Sequence, residues 1–308
     1  MKEDFDVIVL GAGPAGLTAG IYLARSKAKV LIVDSGIPGG QTILTHEIAN
    51  YPGIESTSGY MLASTMKKQA ETFGCNIKSN VQVVAVELDG NTKSIELKTG
   101  EKYTSKAFIL ATGGRSKTIG AQGENDFKGR GISYCATCDG DFFQDKEIIV
   151  VGGGNSALEE AVSLTKYASK LTIVHMLDTW QAFDHAVEEM KANDKIDFIM
   201  ESRIIEFKGD DALKEVVIED LAKKTTYSKK IDGVFIFIGY EANTDFLQNT
   251  NVKLNKRKEI LVDADMQTNL DGVFAAGDAL QKKYRQITTA VSDGTIAALS
   301  ALEYIHQK

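Results

Sequence analysis

The feature that most constrains this chain is a single unit written twice. Residues 5–34 read FDVIVLGAGPAGLTAGIYLARSKAKVLIVD: an apolar run, a glycine-rich turn, a stretch of helical period and a second apolar run. Residues 147–175, EIIVVGGGNSALEEAVSLTKYASKLTIVH, repeat that design. Aligned without a gap from Gly11 and Gly152, the pairs Leu17/Leu158, Leu23/Leu164 and Lys29/Lys170 coincide. Each copy predicts a β-α-β unit. Two copies predict an α/β chain with two doubly wound, Rossmann-like dinucleotide-binding domains, each holding its ligand at the carboxyl edge of its sheet.

Strand-like runs at Val81–Leu88, Ser94–Leu97 and Ala107–Ala111 lie between the copies, and Val216–Glu219 and Gly233–Gly239 follow the second. The segment Val273–Ala276, then Gly277-Asp278 and a helix from about Ile287, returns to a strand-turn-helix pattern. This order predicts that the second domain is inserted in the first: residues 1–115 and 243–308 form one domain, 116–242 the other. A length of 308 residues suits two cores better than one.

The first turn is Gly11-Ala12-Gly13-Pro14-Ala15-Gly16. Gly11 permits the tight turn, Gly13 lets backbone approach a pyrophosphate, and Gly16 allows helix to pack closely on strand. The helix start offers free amides to phosphate. Asp34 ends the second strand, where a carboxylate can accept ribose hydroxyls. The second turn, Gly152-Gly153-Gly154-Asn155-Ser156-Ala157, has the same mechanics, but His175 stands where Asp34 would, followed by Met176-Leu177-Asp178-Thr179-Trp180-Gln181. Two readings compete. Either this domain still takes NAD(P)H, with Asp178 reaching the ribose, or the fold persists as scaffold without a nucleotide. The lack of any cation favours the second, because a dianionic 2′-phosphate needs charge-assisted partners.

Cys135-Ala136-Thr137-Cys138-Asp139 precedes the second unit. Cysteines at this spacing in a cytosolic context point to redox or metal chemistry. Zinc would need a second ligand pair. The third cysteine, Cys75, is remote and reads as a small packed hydrophobe, and His46, His175, His185 and His306 form no ligand spacing. A dithiol with no metal is the expectation, and Asp139 directly after it reads either as an acid or base that protonates a leaving thiolate or, taken alone, as a turn or cap residue. The net charge of −7 opposes nucleic-acid binding, and Lys223-Lys224, Lys229-Lys230, Lys256-Arg257-Lys258 and Lys282-Lys283 read as solvated ends or weak docking points for an acidic partner. The N-terminal apolar run is too short for a signal peptide or a membrane span, which predicts a cytoplasmic location without membrane association.

The combination of an N-terminal dinucleotide turn, a second turn at residue 152 and Cys-x-x-Cys-Asp just ahead of it resembles the low-molecular-weight thioredoxin reductases over essentially the whole chain. Gly39-Gly40-Gln41, Asn50-Tyr51-Pro52-Gly53, Ala111-Thr112-Gly113, Gly277-Asp278 and Tyr284-Arg285-Gln286 also match. The resemblance implies FAD on Gly11, Gly13, Pro14, Ala15, Gly16 and Asp34, with Gly40, Gln41, Asn50, Thr112, Gly113, Gly277, Asp278, Arg285 and Gln286 around it. It implies that Cys138 faces the flavin, that Cys135 attacks the thioredoxin disulfide, and that Asp139 donates the proton. A homodimer and a rotation between domains are implied as well. The family's NADPH signature, His-Arg-Arg with a further Arg, is reduced here to its histidine. In that respect the chain is similar to the ferredoxin-dependent flavin thioredoxin reductases of anaerobic bacteria. The competing expectations are a reductase using NADH or NADPH by altered contacts, and a flavin redox sensor that does not turn over.

Overall fold

The computed structural model describes residues 4–45 and 47–307, so His46 lies outside the described residues. The chain forms two compact units, 1–115 with 241–308, and 116–240.

In the first unit, β1 (Phe5–Leu10) is buried almost throughout, as a parallel strand covered on both faces must be. Pro14 opens α1 (Pro14–Arg25), at a position whose amide has no helical partner in any case. β2 (Val30–Val33) returns parallel to β1, with Leu10 opposite Val33. α2 (Gly59–Thr72) is capped by the Ser58 hydroxyl, which accepts from the Met61 amide, and leads to β3 (Asn76–Lys78). β4 (Val83–Glu87), β5 (Lys93–Leu97) and β6 (Lys102–Leu110) complete the order β3-β2-β1-β6-β5-β4. β6 changes partner along its length. Lys102–Ser105 pairs antiparallel with β5, and its apolar end continues beyond that ladder. β7 (Gly114–Ser116) ends this part of the chain.

The second unit begins with β8 (Ile132–Ser133) and the single turn α3 (Ala136–Asp139). β9 (Glu147–Val151), α4 (Asn155–Leu164), β10 (Lys170–Val174), α5 (Asp184–Lys191) and β11 (Ile196–Ile199) are the second winding. β12 (Ser202–Gly209), β13 (Leu213–Asp220) and β14 (Thr225–Lys230) form a separate antiparallel sheet. β15 (Gly233–Ile236) inserts between β9 and β8, giving the all-parallel order β11-β10-β9-β15-β8. β16 (Tyr240–Ala242) pairs with β7. β17 (Val273–Ala275) then joins β6, with Ala275 opposite Leu110, and α6 (Ile287–Gln307) packs on α1. That packing is close because Gly294 has no side chain: a Cβ there would lie 2.2 Å from the Ala15 carbonyl oxygen.

Each parallel sheet is covered on both faces. In the first unit, Val7, Val9, Leu17, Leu23 and Ala297 fill one side, and Ile8, Leu10, Ile95, Phe108 and Leu280 the other. In the second, Val150, Leu158, Ile173 and Met190 face the helices, while Ile149, Val174, Phe207 and Val216 face the antiparallel sheet. Among the described residues no helix is long and apolar enough to cross a membrane.

Candidate redox site

Strand pairing sets the position of the cysteines. Ile132 and Ser133 lie opposite Val234 and Phe235, so the chain leaves a buried parallel strand two residues before Cys135. Cys135 is extended and caps α3, which brings the two Cα atoms to 5.3 Å and joins Cys135 to Cys138 in a disulfide. The Thr137 hydroxyl lies 3.4 Å from the Cys135 sulfur.

Ser133 links this pair to the neighbouring acid. Its hydroxyl donates to the Asp139 carboxylate at 2.6 Å, and its oxygen accepts from the Cys135 amide at 3.1 Å. Burial pushes the Asp139 carboxyl above the usual carboxylate range, the Asp141 charge adds to this, and the Ser133 hydrogen bond opposes it. A carboxyl that keeps its proton to higher pH than usual suits protonation of a leaving thiolate. One residue before Cys135, the Tyr134 hydroxyl donates at 2.7 Å to Glu124, which is buried and also accepts from the Ile119 and Gly120 amides. Neither Ser133 nor Glu124 belongs to a readable motif. The one signal for Ser133 is a hydroxyl residue in a strand that is otherwise buried.

Cys75 stands apart. It is buried, donates to the Gly20 carbonyl of α1 at 3.1 Å, and its thiol is pushed up to about 12 by burial. Such a thiol is inert.

The first unit gathers its candidate residues at one sheet edge. Leu10 lies opposite both Val33 and Leu110, and Leu110 opposite Ala275. The segments just beyond, Gly11–Gly13, Asp34, Thr112–Gly113 and Gly277–Asp278, therefore emerge side by side at the carboxyl ends of β1, β2, β6 and β17. This is where open α/β sheets bind ligands. Gly11 is left-handed (φ 108°), and a Cβ there would meet the Ala111 carbonyl oxygen at 2.1 Å. The Asp34 carboxylate accepts from the Ala12 and Gly36 amides at 2.6 and 2.7 Å, one on each oxygen, which leaves each oxygen a further lone pair. The Gly39 amide donates to the Ala12 carbonyl, setting Gly40 against Gly13, with Gln41 next in the chain. Asn50 donates to the Gln286 side chain at 3.4 Å. Arg285 reaches the Asp278 carbonyl and pairs with Glu259. Ala15 packs directly against Gly277.

Two buried atoms at this edge lack partners: the Thr112 hydroxyl oxygen and one Asp278 carboxylate oxygen. An unmade hydrogen bond at a buried group is costly, so such atoms mark places that a ligand completes. A Cβ on Gly13 would meet nothing closer than 4.0 Å, so the fold's own packing does not demand glycine there, whereas Gly113 is also left-handed (φ 59°). Bare backbone facing open space beside two orphaned polar atoms fits a dinucleotide such as FAD.

Residues 5–294 match the family described as pyridine nucleotide-disulphide oxidoreductase. A thioredoxin reductase of Peptoclostridium acidaminophilum is 42% identical over 99% of this chain and 98% of its own length. A 34.2 kDa protein of a rubredoxin operon in Clostridium pasteurianum is 41% identical over 100% of both chains. The crystal structure of thioredoxin reductase from Streptococcus pyogenes superposes with a TM-score of 0.95 at 39% identity, covering 99% of each chain. The chain belongs to the low-molecular-weight thioredoxin reductase family.

Within that family the second glycine turn of this chain is the departure. At the first turn, the residue ending the second strand, Asp34, binds the amide of Ala12. At the second, the equivalent His175 is buried with its ring against Gly153, so a Cβ on Gly153 would lie 2.3 Å from the imidazole. His175 stacks on Trp180 with ring centroids 5.6 Å apart, and its Nε2 lies 3.1 Å from the Thr179 carbonyl oxygen. Burial lowers its pKa, which favours a neutral ring. The following strand of chain lies along the turn: the Gln181 amide donates to the Gly153 carbonyl, and the Phe183 amide donates to Asn155. Met176 and Leu177 are 54% and 38% exposed. Where cationic readers of phosphate would stand, Met176, Leu177 and Gln181 are exposed and carry no charge.

Proposed function

We propose that the chain is an FAD-dependent thioredoxin reductase whose electrons come from reduced ferredoxin rather than from a nicotinamide nucleotide. The Cys135–Cys138 disulfide, its Cys135 amide linked through the Ser133 hydroxyl to the half-buried acid Asp139, carries the disulfide-reductase part of this reading. The packing of His175 on Gly153, with exposed Met176 and Leu177 beyond it, supports the choice of donor. FAD, when bound, supplies the conversion between one-electron and two-electron transfer. Thr112, Asp278, Asn50, Gln286 and the Gly11–Gly16 turn hold and orient it.

The chemistry on this chain's residues balances as follows. Two electrons, entering through Cys138, and two protons convert the disulfide to two thiols. Cys135 loses its proton to solvent and attacks one sulfur of oxidised thioredoxin as the thiolate, forming a mixed disulfide and releasing a thiolate that takes the Asp139 proton. Cys138 gives its proton to Asp139, restoring the acid, and its thiolate attacks the Cys135 sulfur, which restores the disulfide and releases the second thioredoxin thiolate, protonated from solvent. We place this reaction in a homodimer, as the family resemblance implies, and in the cytoplasm, as the short N-terminal apolar run suggests.

Anaerobic thioredoxin reduction tests the reading, with reduced ferredoxin, NADPH or NADH as donor. Sustained turnover with ferredoxin, lost in Cys135→Ser and Cys138→Ser while both retain FAD, is the expected result. Turnover with either nucleotide at a comparable rate overturns the donor. A single reduction without turnover, from any donor, makes the pair a sensor.

A further inference from the structure

The chain carries a net charge of −7, yet one face of its first unit is cationic. Leu254 and Ile260 bridge antiparallel, and the connecting turn carries Lys256, Arg257 and Lys258 in succession, all exposed. Asn255 builds this turn, its side-chain oxygen accepting from the Arg257 and Glu259 amides at 2.8 and 3.0 Å. Lys258 occupies the left-handed region (φ 63°), where glycine or asparagine would be the unstrained choice. Nothing in the geometry of the turn asks for three cations.

A second loop is tied to the first. Ile260 bridges Leu280, and the Gln281 amide donates to the Ile260 carbonyl at 3.0 Å. The loop that follows reads Lys282-Lys283-Tyr284-Arg285, and Arg285 turns back to pair with Glu259, next to the turn. Tyr284 is 64% exposed, with the Lys283 ammonium 5.2 Å from its ring centroid. Of the acids near by, Glu259 is taken by Arg285, Asp293 by Lys282 and Asp245 by Lys258. Lys256, Arg257 and Lys283 add charge that these three acids do not cancel. The other lysine-rich stretch differs. On β14, Lys230 lies opposite Glu215 and Lys229 opposite Val216, and in the turn before it Lys223 pairs with Asp220. Part of that charge is matched within its own sheet.

The cationic face also borders the dinucleotide edge, because Arg285 and Gln286 sit at the end of the same loop and Arg285 touches Asp278. We propose that the Lys256–Lys258 turn and the Lys282–Arg285 loop form the docking surface for an acidic one-electron carrier protein. This rests on the donor assigned under the proposed function. An acidic carrier is the complementary partner: opposite potentials steer encounter and orient the carrier beside the site it must reduce. Tyr284 would lie at the centre of the contact, a large rigid side chain of the kind that anchors interfaces.

The test uses the full holoprotein and an acidic two-[4Fe–4S] ferredoxin as probe. One variant carries Lys256→Glu, Arg257→Glu and Lys283→Glu; a control carries Lys229→Glu and Lys230→Glu on β14. Binding is measured by calorimetry at about 20 and 200 mM salt, which brackets strong and weak screening. Flavin bleaching by the reduced probe is followed in parallel. The first variant should bind at least tenfold more weakly at low salt, bleach correspondingly more slowly and keep its flavin content, while the control matches the parent. Unchanged binding in the first variant, or a loss confined to the control, overturns the surface; if the probe still bleaches the parent, the donor reading survives. A parent that neither binds the probe nor is bleached by it overturns both.

Discussion

Ser133→Ala is the perturbation that isolates the proton-transfer part of the site. The Ser133 hydroxyl gives Asp139 its one side-chain hydrogen bond named above, at 2.6 Å, and anchors to the Cys135 amide at 3.1 Å. Hydrogen bonds to charged groups contribute about 1.5–3 kcal/mol. Losing this one disfavours the ionised carboxylate by that amount, about tenfold or more in its ionisation equilibrium. Burial and Asp141 already push the carboxyl up, so the variant holds its proton to still higher pH. At the same time the carboxyl loses the contact that fixes its orientation relative to Cys135. Thioredoxin reduction from about pH 6 to 9.5, at saturating donor, reads both effects. The alkaline limb, where Asp139 gives up its proton, should move to higher pH, and the plateau should fall about tenfold, part of what a positioned general acid supplies. Ser133→Thr, which keeps the hydroxyl, should restore the parent profile. A profile in Ser133→Ala that superposes on the parent in both limb and plateau refutes the role of Ser133.

Three further outcomes follow from the same contacts. Asp139 is a carboxyl with a raised folded-state pKa, so its contribution to stability is full below the ordinary aspartate range and is lost as pH rises through the folded value. Asp139→Asn should therefore melt higher than the parent at pH 8, with the difference vanishing near pH 4; a constant difference refutes it. Thr112→Val removes a buried hydroxyl oxygen without a partner. Burial of an unpaired polar group costs about 1–3 kcal/mol, so the flavin-free variant should resist urea at least as well as the parent, while FAD binding weakens up to about tenfold. Equal FAD affinity would show that this hydroxyl does not serve the cofactor. Gly153→Ala drives a methyl into the His175 ring and should destabilise by roughly 1–3 kcal/mol, measured by urea unfolding. Wild-type stability would mean that the ring moves freely off the turn.

What could be read in the sequence was what local pattern determines. The glycine turns and the apolar strands beside them repeat at fixed spacing, Asp34 ends the first copy where His175 ends the second, and buried parallel strands declare themselves as unbroken apolar runs. Only the apolar end of β6 is visible as Ala107–Ala111, because Lys102–Ser105 pairs with β5 in a polar antiparallel hairpin. Val83–Glu87 is likewise shorter than the run Val81–Leu88 suggests. β14 is invisible, since TTYSKK is exposed on both faces and carries no alternation, and in β12 a bulge between Ile204 and Glu206 breaks the register. α2 was missed as well: its mean hydropathy is low, and only Leu62, Ala63, Met66 and Ala70 among its side chains are buried. Ser133 and the seat of His175 escaped for a different reason. Each depends on register or packing between segments far apart in the chain, the β8–β15 pairing in one case and the 175–183 stretch against the glycine turn in the other.

The central claim is that this reductase takes its electrons without a nicotinamide nucleotide, and anaerobic stopped-flow absorbance of the flavin tests it most directly. Holoprotein is mixed in turn with excess NADPH, NADH and reduced ferredoxin. The account predicts rapid bleaching by ferredoxin and an unchanged flavin spectrum with both nucleotides. Prompt bleaching by either nucleotide would contradict it, and would mean that the His175–Gln181 stretch still reads a cofactor.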